Sequence, residues 1–262
     1  MQDNHSRSHT QTDNFDIARA HALQATLGHP ADLRTGDPMP PFFHHIYFWQ
    51  PQPPAALGRD GHPAKGDFIP DLGLPRRMWA AGKLVFHCQL LAGVKADRSS
   101  VIDSVTRKQG RSGPLAFVTV RHDIKQRGTL ALTEIQELVY REDGARATAP
   151  QAPTNETDAQ TVTFDSTLLF RYSALTFNGH RIHYDERYAR EVEGYDGLVV
   201  HGPLLAHLLM GFAAAKLGAL SQFSYRATAP LMHHETATLC WRDGQAWVRG
   251  PQGRQCMIAT AA

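Results

Sequence analysis

The chain has 262 residues, 42% of them apolar and 9% aromatic, which is enough to bury the core of one large domain or two small ones. Its formal net charge is only +2 and it has no long Lys/Arg block, which argues against a nucleic-acid binder with its concentrated basic footprint. Cys88, Cys240 and Cys256 are widely spaced and form no CxxC pattern. Neither a disulfide framework nor a structural zinc site is therefore expected, and reduced thiols in a cytoplasm are.

Residues 1–13 are polar, lack an apolar signal core and read as a disordered tail. From Phe15 to Leu27, apolar residues fall near helical spacing and stop at Gly28, a C-cap signal. A Pro/Gly-rich loop from Gln50 to about Pro75 excludes regular elements. Strands are predicted at 82–90, 99–109 and 114–126, rich in Val, Ile, Phe and Thr with partial alternation. The segment 129–142 fits a strand or a helix. Residues 143–161 carry almost no large apolar side chain and read as a linker between a first half, 14–142, and a second half, 162–262.

The second half begins with a strand near 161–165, followed by "ALTFNGHRIHYDERY" (174–188). A helix then starts at Pro203 and ends near Gly218, apolar on nearly all faces, and so is expected to be enclosed by something larger than itself. His207 and Lys216 interrupt it, making it too polar for a membrane span. Strands follow at 222–231, 236–243, 246–251 and 255–260. The architecture read from this order is two similar α+β units, each with an antiparallel sheet around a helix.

The chemistry concentrates in "NGHRIH". A turn at Asn178-Gly179 can aim Asn178 and His183 at one small volume. An imidazole moves protons near neutral pH, whereas an amide can only hold a water or a substrate oxygen. Downstream, His201-Gly202 precedes the apolar helix, whose first N–H groups are unsatisfied and lie at the positive end of its dipole. A glycine there lets a carbonyl oxygen come close to the main chain, as an oxyanion hole requires. Plainer readings stand beside these. His183 fits a buried histidine bonded to a backbone carbonyl, Asn178 a positive-φ turn residue, and Arg181 a solvent-facing side chain. His44-His45 and His233-His234 read as surface or loop residues. His180-x-x-His183 has no third ligand at a recognisable spacing, so no metal is expected.

The pair "NGHRIHYD" and "GLVVHGP" resembles the MaoC-like hotdog hydratases and dehydratases, in the branch of itaconyl-CoA and mesaconyl-C4-CoA hydratases and fungal-type hydroxyacyl-thioester dehydratases. "LPRRMWAAGKLVFH", "FVTVRHDI", "ELVYRE" and "FSYRATAPL" extend the resemblance over about residues 38–250. It implies an α+β double hotdog and reversible hydration of a short α,β-unsaturated acyl-CoA, itaconyl-CoA or mesaconyl-C4-CoA, to citramalyl-CoA. His183 would then be the acid–base group, Asn178 would position water, and the Gly202 N–H would polarise the thioester. Arg181 and His201 are the candidate substrate contacts. Asn178 stands where the family signature has an aspartate, and an amide beside Arg181 would accept a substrate carboxylate that an aspartate would repel. No cofactor beyond the CoA of the substrate is implied. A cytoplasmic protein, with association into a homodimer, completes the expectation. The rivals are an (R)-3-hydroxyacyl-thioester dehydratase of fatty-acid synthesis and a non-catalytic acyl-CoA-binding hotdog protein.

Overall fold

The computed structural model describes residues 8–66, 68–110, 113–142 and 148–262. Period-two burial builds most of it. In the strand Gly113–Gln126, alternate residues from Ala116 to Gln126 are buried and their neighbours are not, as a sheet with one covered face requires. The strands are β1 (Ser8–Asn14), β2 (Arg76–Phe86), β3 (Lys95–Gly110), β4 (Gly113–Gln126), β5 (Thr129–Arg141), β6 (Asp158–Val162), β7 (Gln222–Ala227), β8 (Ala237–Arg242), β9 (Gln245–Arg249) and β10 (Gln255–Ala261). The helices are α1 (Ile17–Thr26), α2 (Ser166–Leu175), α3 (Glu186–Glu191) and α4 (Gly202–Leu217).

All strand pairs are antiparallel, and the order is β1-β3-β4-β5-β2-β7-β10-β9-β8-β6. Read from either end, this order repeats the same five-stranded pattern, so the chain is a double hotdog. The two five-stranded sheets are not separate layers. Their edges bond through β2 and β7, from Ala81↔Arg226 to Val85↔Gln222, into one ten-stranded sheet. Two hairpins close through left-handed pairs, Arg127-Gly128 (φ 51 and 81) and Asp243-Gly244 (φ 47 and 79). Such turns match the right-handed twist of the strands they join.

α4 lies against β7, β8, β9 and β10, and it buries Leu204, Leu205, Ala206, Leu209, Met210 and Ala213. α1 is capped by Asp16, whose carboxylate accepts the Arg19 N–H at 2.9 Å, and it ends where Gly28 turns to φ 78. One apolar core runs through both halves, joining Phe15, Leu84 and Leu132 to Leu204, Leu209 and Phe223. No helix among the described residues is long and apolar enough to cross a membrane. All three cysteines are free thiols.

Two sequence expectations need correction here, and one ambiguity is resolved. Residues 8–13 are not a disordered tail: they form β1, paired with β3 from Ser8↔Val101 to Asn14↔Lys95. An edge strand exposed on both sides needs no apolar alternation, so a polar sequence hides it. Residues 1–7 lie outside the described residues. The linker is shorter than 143–161 because β6 begins at Asp158 and pairs with β8; residues 143–147 are outside the described residues. The ambiguous segment 129–142 is the strand β5, fixed on both sides by β2 and β4.

Candidate active site

α2 had no sequence prediction, yet it sets the floor of the site. Asp165 caps it by accepting the Leu168 N–H at 2.7 Å, and Leu169 and Tyr172 bury one face. Its end turns through Phe177 in the left-handed region (φ 50), so the positive φ falls there and not at Asn178. The Asn178 N–H bonds the Ser173 carbonyl at 2.8 Å, and its side-chain oxygen accepts the His180 N–H at 3.0 Å. Asn178 is thus an Asx-turn residue that also lines the cavity.

A short 3-10 turn, Arg181–His183, then buries His183 to 6% exposure. Its Nδ1 lies 2.7 Å from the Val199 carbonyl oxygen. A carbonyl only accepts, so Nδ1 carries the proton, and the neutral ring leaves Nε2 with a free lone pair. The Val199 bond meets the buried-histidine reading through Nδ1, and it leaves Nε2 open to the proton-carrier reading. Burial pushes the His183 imidazole down to about 4, against the Val199 hydrogen bond, which raises it.

His201 is fully buried and stacks on His183 with ring centroids 3.7 Å apart, while its Nε2 meets the Ser173 hydroxyl at 2.8 Å. Burial holds it well below the usual histidine range, so two neutral rings stack without repulsion. It does not line the cavity, which corrects its assignment as a substrate contact; it backs His183 instead. Gly202 opens α4 and does line the cavity. A Cβ there would meet nothing closer than the Trp79 carbonyl oxygen at 3.9 Å, so the space above the helix start is open.

Arg181 is also corrected. Its guanidinium binds the Asp185 carboxylate at 2.7 Å and the Arg59 carbonyl at 3.3 Å, and it lies over the Tyr188 ring at 4.1 Å. It lines a smaller neighbouring pocket, which shares Arg59 with the cavity that holds His183, and not that cavity itself. The cause is local: Asp185 caps α3 and takes Arg181 as its i−4 partner. Tyr184 donates to the Gly179 carbonyl at 2.9 Å.

The cavity has a volume of about 800 Å³ and spans both halves. Among the described residues, six arginines line it (Arg59, Arg76, Arg77, Arg98, Arg141 and Arg254) against the four carboxylates of Asp60, Glu193, Asp196 and Glu235. That excess suits a polyanionic ligand. Two features were missed in the sequence. The loop Gly58–His62 brings Asp60 and His62 to His180, with the His62 and His180 ring centroids 4.5 Å apart. His44 and His45 are not surface residues: both bond Glu134 of β5, at 3.1 and 2.8 Å, and His45 lines the cavity. Burial would raise the Glu134 carboxyl, but the two histidines hold it well below its ordinary value. An acid in the alternating strand β5, at an inward position beside Leu132, was the available signal. In both histidine–carboxylate groups the donor atoms are close enough to converge on an ion, yet they already bond one another, and neither is read as a metal centre.

Two matching five-stranded halves joined into one antiparallel sheet, with a cavity lined by residues of both, make this a protein of the double-hotdog class. A family profile for hydroxyacyl-thioester dehydratase type 2 matches residues 42–233, and the chain belongs to that family. It is 44% identical to the mesaconyl-C(4)-CoA hydratase of Chloroflexus aurantiacus, over 97% of this chain and 94% of that one. Among solved structures, HtdX of Mycobacterium tuberculosis has a TM-score of 0.70 at 16% identity, covering 97% of this chain and 99% of its own. A second protein of the same organism, described as a double hotdog, has a TM-score of 0.57 at 15% identity, covering 98% and 94%. At such identities these two likenesses bear on the fold alone.

Proposed function

We propose that this protein adds water reversibly to mesaconyl-C4-CoA, giving citramalyl-CoA, with itaconyl-CoA as the next candidate substrate. The observation that supports this most is the near full-length similarity to a mesaconyl-C(4)-CoA hydratase in a chain whose His183 keeps a bare Nε2 at the cavity. In this reading His183 takes a proton from water as the oxygen attacks the β-carbon. Asn178 orients that water through the amide hydrogens its turn leaves over. The Gly202 N–H donates to the thioester oxygen as it gains enolate character. The substrate carboxylate, assigned to Arg181 from sequence, goes instead to Arg77 of β2, which lines the cavity with Asn178, His62 and His180. The reaction draws on no metal or redox group, and a cytoplasmic homodimer belongs to the same proposal.

Turnover of mesaconyl-C4-CoA, itaconyl-CoA and crotonyl-CoA by the purified protein tests the reading. Preference for the two carboxylated esters supports it; preference for crotonyl-CoA or longer chains supports the fatty-acid dehydratase. Asn178→Asp gives a sharper comparison. The new carboxylate repels one on the β-carbon, so kcat/KM for mesaconyl-C4-CoA should fall about tenfold or more relative to crotonyl-CoA. Equal changes for the two substrates would sink the charge argument.

Gly202→Ala tests the helix N-terminus. Because its Cβ enters open space, thermal stability should hold within about 2 °C, a helical Gly→Ala change being neutral to favourable. The methyl group would occupy the approach of the thioester oxygen, so kcat/KM should drop about 10²-fold. A matching loss of stability would show that Gly202 is needed only as a joint.

A further inference from the structure

Adding water across a carbon–carbon double bond needs two proton positions, a base for the water and an acid for the α-carbon. His183 supplies one, and the Asn178 amide cannot supply the other. The loop "GRDGH", residues 58–62, comes from the first half of the chain and carries a carboxylate and an imidazole into this cavity. It is docked by its backbone. Gly61 sits at φ 84 and Gly179 lies directly against it, so that a Cβ on either would overlap the other's carbonyl oxygen. The Arg181 N–H bonds the Asp60 carbonyl at 2.9 Å, and the Gly58 N–H bonds the His62 carbonyl at 2.7 Å. Within the loop, Asp60 Oδ1 accepts the His62 N–H at 3.1 Å and Oδ2 faces His62 Nδ1 at 3.2 Å. That fixes which nitrogen of His62 is engaged and leaves Nε2 for the cavity, as Val199 does for His183.

We propose that Asp60 and His62 form the second acid–base group of the reaction, supplied by the first half to a site otherwise built in the second. The proposal rests on the hydratase reading above. In hydration, water loses a proton to His183 Nε2 as its oxygen bonds the β-carbon. The double-bond pair moves onto the thioester, and the α-carbon takes a proton from protonated His62 Nε2. The proton gained by His183 is then released to solvent and His62 is reprotonated from it, while the His180 ring packs against both, its centroid 4.5 Å from His62 and 5.4 Å from His183. The net change is one water added.

The charged and titratable groups facing His62 are Asp60, Arg77, His180 and His183. Burial and the Arg77 charge lower His62, while the Asp60 hydrogen bond and charge raise it. Burial would raise Asp60 itself, but the His62 side-chain and backbone hydrogen bonds and the charges of His62 and His180 together outweigh this and hold it well below its ordinary value. The net direction for His62 is below the ordinary histidine value, and Asp60 limits that fall.

The decisive variant is Asp60→Asn, because its side-chain oxygen still accepts the His62 N–H and the turn survives. With mesaconyl-C4-CoA as substrate, kcat should fall about 10²–10³-fold with KM little changed. The acid form of His62 is lost as pH rises through its pKa, so the alkaline limb of kcat should move to lower pH. Asp60→Glu, which restores the charge, should return that limb toward its original position, and His62→Gln should abolish it. An active wild type whose kcat and alkaline limb are unaffected by Asp60→Asn overturns the proposal and leaves His183 as the sole proton carrier. A wild type inert toward every enoyl-CoA overturns the hydratase reading instead. Ring ¹⁵N spectra then judge the pair by itself: His62 must titrate at lower pH in Asp60→Asn, and an unchanged titration overturns the coupling.

Discussion

His183→Gln is expected to lower kcat for hydration about 10³-fold while changing KM by less than about threefold, the range for loss of a positioned acid–base group. Nδ1 is tied to the Val199 carbonyl and the ring is stacked on His201, so the free Nε2 is held in place before any substrate arrives. The pH dependence carries a second signature. A general base works unprotonated, so activity is lost as pH falls through its pKa. Burial pushes that value down to about 4 from the ordinary 6.5. On its acid side the kcat/KM profile should therefore hold down to about pH 5 and fall only below it, independently of the alkaline limb that His62 sets. An acid limb near 6.5 would mean that a solvent-exposed histidine controls the reaction. Binding of CoA esters without turnover, indifferent to this substitution, would favour the non-catalytic reading.

How much of this was legible from sequence depends on the range of the interaction. Strands with one covered face announce themselves by alternation, as Ala116 to Ile124 do, and α4 by apolar residues on every face that only an enclosing sheet can bury. β1 was invisible because an exposed edge strand imposes no pattern on its side chains. α2 left a local signal, Asp165 capping Leu168 with Leu169 and Tyr172 on one face, that the neighbouring polar stretch masked. His183 and Gly202 could be placed because one short turn and one helix start set them. Arg181 was misplaced because its competing partner, Asp185, is a neighbour on the same turn, and a pair at that spacing satisfies itself before a ligand does. The Asp60–His62 pair was beyond any local reading. It arrives through the contact of Gly61 with Gly179, 118 positions apart in the chain, inside a loop that composition marks only as irregular.

Arg77→Gln is the substitution expected to separate carboxylated from plain substrates most strongly. Arg76, its neighbour, is drawn to Glu193 at 3.6 Å, and Arg181 is turned away by Asp185. Arg77 stays at the cavity wall, close enough to His62 and His180 for its charge to lower both. A guanidinium there meets a carboxylate on the β-carbon with a charge-assisted hydrogen bond in a partly desolvated site. Truncating such a contact typically costs about 2–5 kcal/mol. Glutamine keeps much of the side chain and removes the charge. For mesaconyl-C4-CoA kcat/KM should therefore fall about 10²–10³-fold, and for crotonyl-CoA, which has no carboxylate to lose, by less than about threefold. The same change removes a cation that depresses His62, so the acid form of His62 should persist to higher pH and the alkaline limb should shift upward with either substrate. The two effects are separable: selectivity reports the carboxylate contact, the limb reports the histidines. Equal losses on both esters, with the limb displaced, would assign Arg77 to tuning His62 and leave the carboxylate to another of the cavity's arginines.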